Sequence, residues 1–325
     1  MKDQRCGMMK ASVFTGPREN SIVKRPMPSV GMDEVLIRVR ICGVCASELG
    51  SWMNGDGGPS GIRGHEAVGS VESVGKRVHE YKRGDRVTGL FYSSFAEYAV
   101  AKAENIVHVP DNIADDEALG EPLACLVSGA DRTVVQLGDT AAVIGVGYMG
   151  LGMMQLLAIK GASRIIAVDT RTESLCAALR FGAHEAYAPR DVPAKYKVTD
   201  WPQIGLGVNI VAEATGKEPG LQLAGDMTAV HGTLSIVGWH QDGIRSVDMG
   251  LWNWKAINII NAHERRDDVL IRAMRAGLAL ISAQRLNMKD MVTHRFGLGE
   301  VDLAFTALLT KPEGFIKAVV DIDKR

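Results

Sequence analysis

Cys42-Gly43-Val44-Cys45 and Gly64-His65-Glu66 gather thiols, an imidazole and a carboxylate into one short stretch, with His65 twenty residues after Cys45. Thiolate, imidazole and carboxylate together are the ligand set of a zinc ion. Three protein ligands with a fourth position open describe a catalytic rather than a structural site. Two plainer readings compete. A CxxC can be a thioredoxin-like redox pair, but that motif opens a helix in a βαβ unit, and this one follows a β-rich run. It can also be half of a zinc knuckle, but the chain has no second CxxC. On these residues alone, a metal site and two inert thiols stand level.

The second chemical signal is Gly145-Val146-Gly147-Tyr148-Met149-Gly150, a GxGxxG that directly follows an apolar run and opens a helical one. The first glycine permits a tight turn, the second lets backbone approach a pyrophosphate, and the third lets helix pack on strand. The helix N-terminus then stabilises the phosphate charge. Alone, such a motif can be an ordinary Gly-rich loop. Asp169 closes the next apolar run nineteen residues after Gly150, where an acid accepts hydrogen bonds from the adenosine ribose and repels a 2′-phosphate. Asp169 could instead belong to a helix start. The expectation is NAD(H) rather than NADP(H), with Arg171 as a residue that weakens the discrimination.

The elements that must hold these groups differ along the chain. From Val13 to about Ala103, short β-rich runs are punctuated by Gly and Pro: residues 34–40, 68–74 and 85–88. After Glu121 the texture alternates. Strands at 141–144, 164–168, 208–211, 233–237 and 256–260 are apolar on both faces and separated by helical runs at 151–160 and 173–181. This pattern predicts an α/β fold with a Rossmann-type doubly wound parallel sheet beside a β-rich domain. The expected division is 9–124 for the first part of the β-rich catalytic domain, 125–262 for the dinucleotide-binding domain, and 263–325 for a return to the first. That return holds a long helix and a final strand at 315–320. Met9 to Phe14 reads like a natural start, so the first eight residues are set aside.

At 325 residues, 46% apolar and with a net charge of -1, the chain suits two globular domains and shows no bias towards nucleic acid. No long apolar run or secretory signal is visible, so neither a membrane nor export is expected. Five scattered cysteines, Cys6, Cys42, Cys45, Cys125 and Cys176, argue for a reducing compartment and hence a cytoplasmic protein.

Taken in order, GVCASEL, GHEAVGSVESVG, GDRV, EPLAC and GVGYMG with Asp169 following resemble the zinc-dependent medium-chain dehydrogenase family, in particular its sorbitol, threonine and polyol dehydrogenase branch. The resemblance implies that the β-rich domain is GroES-like and that one catalytic Zn2+ is bound. It implies Cys45 as thiolate ligand with Cys42 a buried neighbour, and His65 as imidazole ligand. Glu66 would be a direct ligand or exchange with water, and Glu121 an acid that ligates zinc or holds its water. Ser47 would relay the substrate proton, and Glu48 would pack behind the ligands. The implied activity is hydride transfer between NAD(H) and a secondary alcohol or polyol, at a cleft between the domains. The partner is a small-molecule alcohol, and the assembly a homodimer or homotetramer.

Two departures stand out. Four closely spaced cysteines that bind a structural zinc in the family are missing after GDRV, so no structural zinc is expected. Gly50 stands where many members carry a histidine that passes the proton outward. Lys317 matches a basic position near the cofactor pyrophosphate, with a solvated strand lysine as the alternative. Residues 261–266 match a loop beside the nicotinamide. Trp52, Phe91 and Tyr92 fall at the family's substrate pocket or in ordinary core, and Trp239, Trp252 and Trp254 near an interface. Competing functions are a zinc-free quinone-type reductase and a non-catalytic nucleotide-binding structural or sensor protein.

Overall fold

The structure is a computed structural model describing residues 7–58 and 60–324; Cys6 lies outside the described residues. The chain enters through β1 (Met8–Gly16), β2 (Glu19–Pro26) and β3 (Glu34–Gly43), then turns through α1 (Leu49–Asn54). It continues as β4 (Glu66–Val74), β5 (Arg86–Gly89), β6 (Tyr98–Lys102) and β7 (Ile106–His108). After α2 (Gly120–Arg132) come β8 (Thr140–Ile144), α3 (Tyr148–Lys160), β9 (Arg164–Val168), α4 (Thr172–Arg180) and β10 (Glu185–Tyr187). Then follow β11 (Val208–Glu213), α5 (Glu218–Met227), β12 (Thr228–Ile236), α6 (Met249–Trp254) and β13 (Asn258–Asn261). The last elements are α7 (Asp267–Ser282), β14 (Val292–Gly297), α8 (Val301–Thr310) and β15 (Lys317–Asp321).

These elements form two compact units. One comprises the chain up to Ala124, Arg266–Ser282 and Met288 onwards; the other comprises Cys125–Arg265 with Ala283–Asn287. The first is built around β3, whose buried Val35, Ile37, Val39 and Cys42 pack against Ala67 and Val71 of β4 and against Phe305 of α8 in one core. β3 pairs antiparallel with β4 along one edge. Its other edge is shared, β6 running along Glu34–Arg38 and β15 along Ile41–Gly43. β1 and β2 form a separate hairpin that already includes two of the residues set aside. Met8 pairs with Pro26, and the Met27 N–H donates to the Gly7 carbonyl at 2.8 Å. The fold therefore takes in Gly7 and Met8.

The second unit is a six-stranded parallel sheet in the order β10-β9-β8-β11-β12-β13. Ala141–Ile144 and Ile165–Val168 are buried throughout, as strands covered on both faces must be. Numbered from β8, this order is 3-2-1-4-5-6, and it reverses between β8 and β11, where such sheets bind a dinucleotide.

Two lysines end helices in this unit from a distance. The Lys160 ammonium donates to the carbonyls of Ala130 (2.6 Å) and Thr133 (2.8 Å) at the end of α2. Lys255, fully buried, donates to Gly225, Thr228 (2.8 Å) and Val198 (3.0 Å), closing α5. Carbonyls left over at a helix C-terminus, and its negative dipole end, favour a cation there.

Candidate metal centre and dinucleotide site

Strand register brings the thiol, imidazole and carboxylate together. Gly43, the last residue of β3, stands opposite Glu66, the first of β4, so the exit of one strand and the entry of the next share one end of the sheet. Beyond Gly43 the chain is tied down by the Val44 N–H on the Ala318 carbonyl (3.0 Å) and by the Glu48 N–H on the Cys45 carbonyl (3.1 Å). The result is that the ligand atoms of Cys45, His65 and Glu66 all lie within 4.8 Å of one another, the one such group among the described residues. A tetrahedral zinc with bonds of about 2.0–2.3 Å spaces its donors about 3.3–3.8 Å apart. Small side-chain adjustments therefore suffice to fit it.

The surroundings are arranged for those three. Glu48 is buried, accepts the Gly64 N–H (2.8 Å) and lies 3.3 Å from His65 Nδ1, which leaves Nε2 as the ring nitrogen available to an ion. Ser47 Oγ donates to Cys45 Sγ at 3.1 Å. Glycine at 43 makes room for its neighbour: a Cβ there would stand 2.0 Å from Glu66 Oε2, and the carboxylate would have to move.

The protonation pattern also points to a cation site. Burial, reinforced by the Glu66 charge, holds the Cys45 thiol above its ordinary range. Burial opposes a charge on His65, but the hydrogen bonds it donates to Cys45 and Glu48 outweigh it and push the imidazole up to about 12. For Glu66 burial acts upwards, and the Lys317 and His65 charges bring it below the usual carboxylate range. Protons thus stand on the thiol and imidazole, where a divalent ion would supply the positive charge instead, so binding an ion there releases protons.

The structure sorts the remaining candidates. Cys42 is fully buried, its thiol pushed well up by desolvation, and it takes no part in the three-donor group. Glu121, in the first turn of α2, is also outside that group; its charge acts on Lys317. Lys317 is buried, which rules out the solvated strand lysine, and its ammonium sits 2.5 Å from Glu66 Oε2, beside the metal candidate. Trp52 and Phe91 belong to the core, Trp52 stacking on Phe305 at 5.5 Å and donating to Asp302 (2.8 Å). Tyr92 is 76% exposed with its ring 6.4 Å from His65, which makes it the aromatic of the three that faces the site. At Gly50 a Cβ would meet nothing within 4 Å, so the space is open. Trp252 is core, while Trp239 is half-exposed and Trp254 packs edge-on to the exposed Trp201.

In the parallel-sheet unit the three glycines divide the work as their spacing suggests. Gly145 has φ +86°, and its N–H donates to the Val168 carbonyl (2.7 Å). A Cβ on Gly150 would lie 1.9 Å from the Gly145 carbonyl oxygen. At Gly147 it would meet nothing, and no side chain caps α3, so the N-terminus of a 13-residue helix is open to a ligand. Tyr148 and Met149 begin that helix, Tyr148 buried. Asp169 is fixed from both sides, Oδ2 accepting the Val146 N–H and Oδ1 the Arg171 N–H, each at 2.9 Å. It is therefore joined to the glycine turn and to the start of α4 at once. A pyrophosphate on the helix and a ribose at the carboxylate fit this arrangement. In the 261–266 loop, the Ala262 N–H donates to Ile236 (2.9 Å), and burial holds the His263 imidazole below its ordinary range.

Residues 31–111 match the alcohol dehydrogenase GroES-like domain, and residues 149–279 the zinc-binding dehydrogenase domain. Sorbitol dehydrogenase of Bacillus subtilis is 30% identical over 265 residues, 71% of this chain and 75% of that protein. D-arabinitol dehydrogenase 1 of Uromyces fabae is 27% identical over 345 residues, 93% of this chain and 95% of that one. Among solved structures, 2R,3R-butanediol dehydrogenase of Bacillus subtilis superimposes with a TM-score of 0.79 at 24% identity, covering 97% of this chain and 100% of that chain. A Sinorhizobium meliloti protein bound to NADP does so with a TM-score of 0.83 at 22% identity, again over 97% and 100%. No helix among the described residues is long and apolar enough to cross a membrane.

Proposed function

Since the chain belongs to the zinc-containing medium-chain alcohol dehydrogenase family, we propose that it transfers a hydride between NAD(H) and a secondary alcohol of polyol or sugar-derived type. The observation that carries this is the convergence of Cys45, His65 and Glu66 within 4.8 Å. We assign these three as ligands of a single catalytic zinc and propose no structural one, because the link from β5 to β6, residues 90–97, has no cysteine. Zinc bound there would act as a Lewis acid on the substrate hydroxyl, and the nicotinamide would carry the hydride.

The protein's own groups hold and move the proton. Ser47, whose oxygen already touches the Cys45 sulfur, accepts the substrate's hydroxyl proton by hydrogen bond. Glu48 fixes the His65 ring and Lys317 holds Glu66, so the donors keep one geometry through turnover. Glu121 acts as an outer acid through its charge on Lys317. Gly50 leaves an open slot, so the proton leaves through solvent there rather than through a side chain. Tyr92 lines the substrate side. A homodimer or homotetramer in the cytoplasm is the expected form; the four described cysteines form no disulfide, and edge strand β13 exposes Ile259, where a second copy could pair.

Metal analysis of the purified protein, with a screen of polyols and secondary alcohols followed by NADH absorbance, tests the proposal. About one zinc per chain and turnover of an alcohol are expected. Turnover with no bound metal would instead indicate a zinc-free reductase, and NADH binding without any turnover a nucleotide-binding protein that has lost its chemistry.

A further inference from the structure

Glu213, the last residue of β11, is fully buried, and its charge is answered on both oxygens. Oε1 accepts the Thr215 N–H (2.7 Å), the Gly216 N–H (3.0 Å) and the Thr215 hydroxyl. Oε2 faces His240 Nε2 at 2.9 Å. On the other side of that imidazole, Arg245 Nε donates to His240 Nδ1 at 2.9 Å. Because a guanidinium has donors only, Nδ1 must be the bare nitrogen, and Nε2 carries the hydrogen given to Glu213. Arg245 reaches further, to the Gly216 carbonyl (3.2 Å) and to Asp242, which also pairs with Lys217 at 2.6 Å.

These contacts knit two loops into one rim. The N–H groups of Val237 and Gly238 both donate to the Glu213 carbonyl at 2.8 Å, and a Cβ on Gly216 would lie 2.6 Å from the Trp239 carbonyl oxygen. Thr215 in turn presses on the glycine turn, since a Cβ on Gly145 would meet its Cγ2 at 2.6 Å. The rim lies at the carboxyl ends of β11 and β12. In a sheet of this order those strands belong to the half that follows the reversal, where the second mononucleotide of a dinucleotide is held. An apolar side chain would fill the space under Glu213 without the desolvation cost of a carboxylate. A fully satisfied polar network specifies one loop geometry instead.

We propose that Glu213, His240 and Arg245 are positioning residues that set the rim for the nicotinamide-ribose half of the dinucleotide and leave its adenosine half to the glycine turn and Asp169. This assignment rests on the dinucleotide reading of the site. The test compares NADH with ADP-ribose, which lacks the nicotinamide, by their Kd values for the full chain and for His240→Phe, His240→Gln and Arg245→Met. In His240→Phe, NADH binding weakens about tenfold or more while ADP-ribose binding stays within about threefold. The amide of His240→Gln can donate to Glu213 and accept from Arg245, so it restores NADH binding to within about threefold of the unmodified chain. Arg245→Met decides the matter should the Phe variant not fold, and a selective loss of NADH binding is again expected.

Equal weakening for both ligands, or none for NADH, overturns the assignment. An unmodified chain that binds neither ligand overturns the dinucleotide reading itself, a different result from the first.

Discussion

Cys45→Ala should leave the protein without its zinc and lower turnover by about a thousandfold or more, while NADH affinity stays within about threefold. Lewis-acid stabilisation by a metal is worth several kcal/mol, and about 4 kcal/mol in the transition state corresponds to that rate factor. Without the thiolate, the group keeps His65 and a Glu66 already engaged by Lys317, too few donors to retain the ion. The glycine turn and Asp169, to which the proposal gives the adenosine half of NADH, belong to the other unit. Cys42→Ala is the control: that thiol is outside the donor group and should keep the metal. Metal content, turnover and NADH titration of the two variants are read together. A Cys45→Ala protein that retains one zinc, or that loses NADH binding along with turnover, would show the ligand assignment to be wrong.

For Asp169→Ala the expected effect is on cofactor choice, a fall in the NADH-over-NADPH preference of about a hundredfold or more. A hydrogen bond to a charged acceptor contributes about 1.5–3 kcal/mol, and a ribose can offer Asp169 two of them. With a 2′-phosphate in place of the hydroxyl, the same carboxylate repels. The variant loses the first effect for NADH and the second for NADPH, so the two affinities move towards each other. A protein of the same fold is bound to NADP, so the fold alone does not impose NAD(H). Equilibrium titration with both cofactors measures it, and a ratio that does not move would separate Asp169 from the ribose.

Much of this architecture was visible in local sequence. Continuous apolar runs at 141–144 and 164–168 announced parallel strands, and the glycine spacing at 145, 147 and 150 announced the turn, because each signal acts within a few residues. Cys45, His65 and Glu66 became legible as a donor set only through the order of several motifs that resembles a known family, since the residues alone left a metal site and inert thiols level. What register and distance decide was not legible. Lys317 reaches Glu66 from the last strand, a contact that no spacing reveals, and its strand position looked equally suited to a phosphate or to solvent. Gly43 carries no signal of its own in the sequence, and only the pairing of β3 with β4 shows that it clears space for a carboxylate. Trp52, Phe91 and Tyr92 are alike as sequence, but burial places two in the core and one beside His65. The contacts that join Glu213, His240 and Arg245 leave no sequence signal, because His240 and Arg245 sit in an irregular loop without periodicity.

The buried ammonium that closes α5 gives folding an unusual response to alkali. Burial pushes the Lys255 pKa from an ordinary 10.5 down to about 8. Between those two pH values the unfolded chain holds the proton that the folded one has released. Stability contributed at this position is therefore absent below about pH 8 and grows as the solution becomes more basic, reaching its full value near 10.5. Urea midpoints taken across this window should rise relative to those of Lys255→Met, and refolding in a weak buffer near pH 9 should acidify it. Parallel midpoint curves for the two proteins would mean that Lys255 keeps an ordinary affinity for its proton.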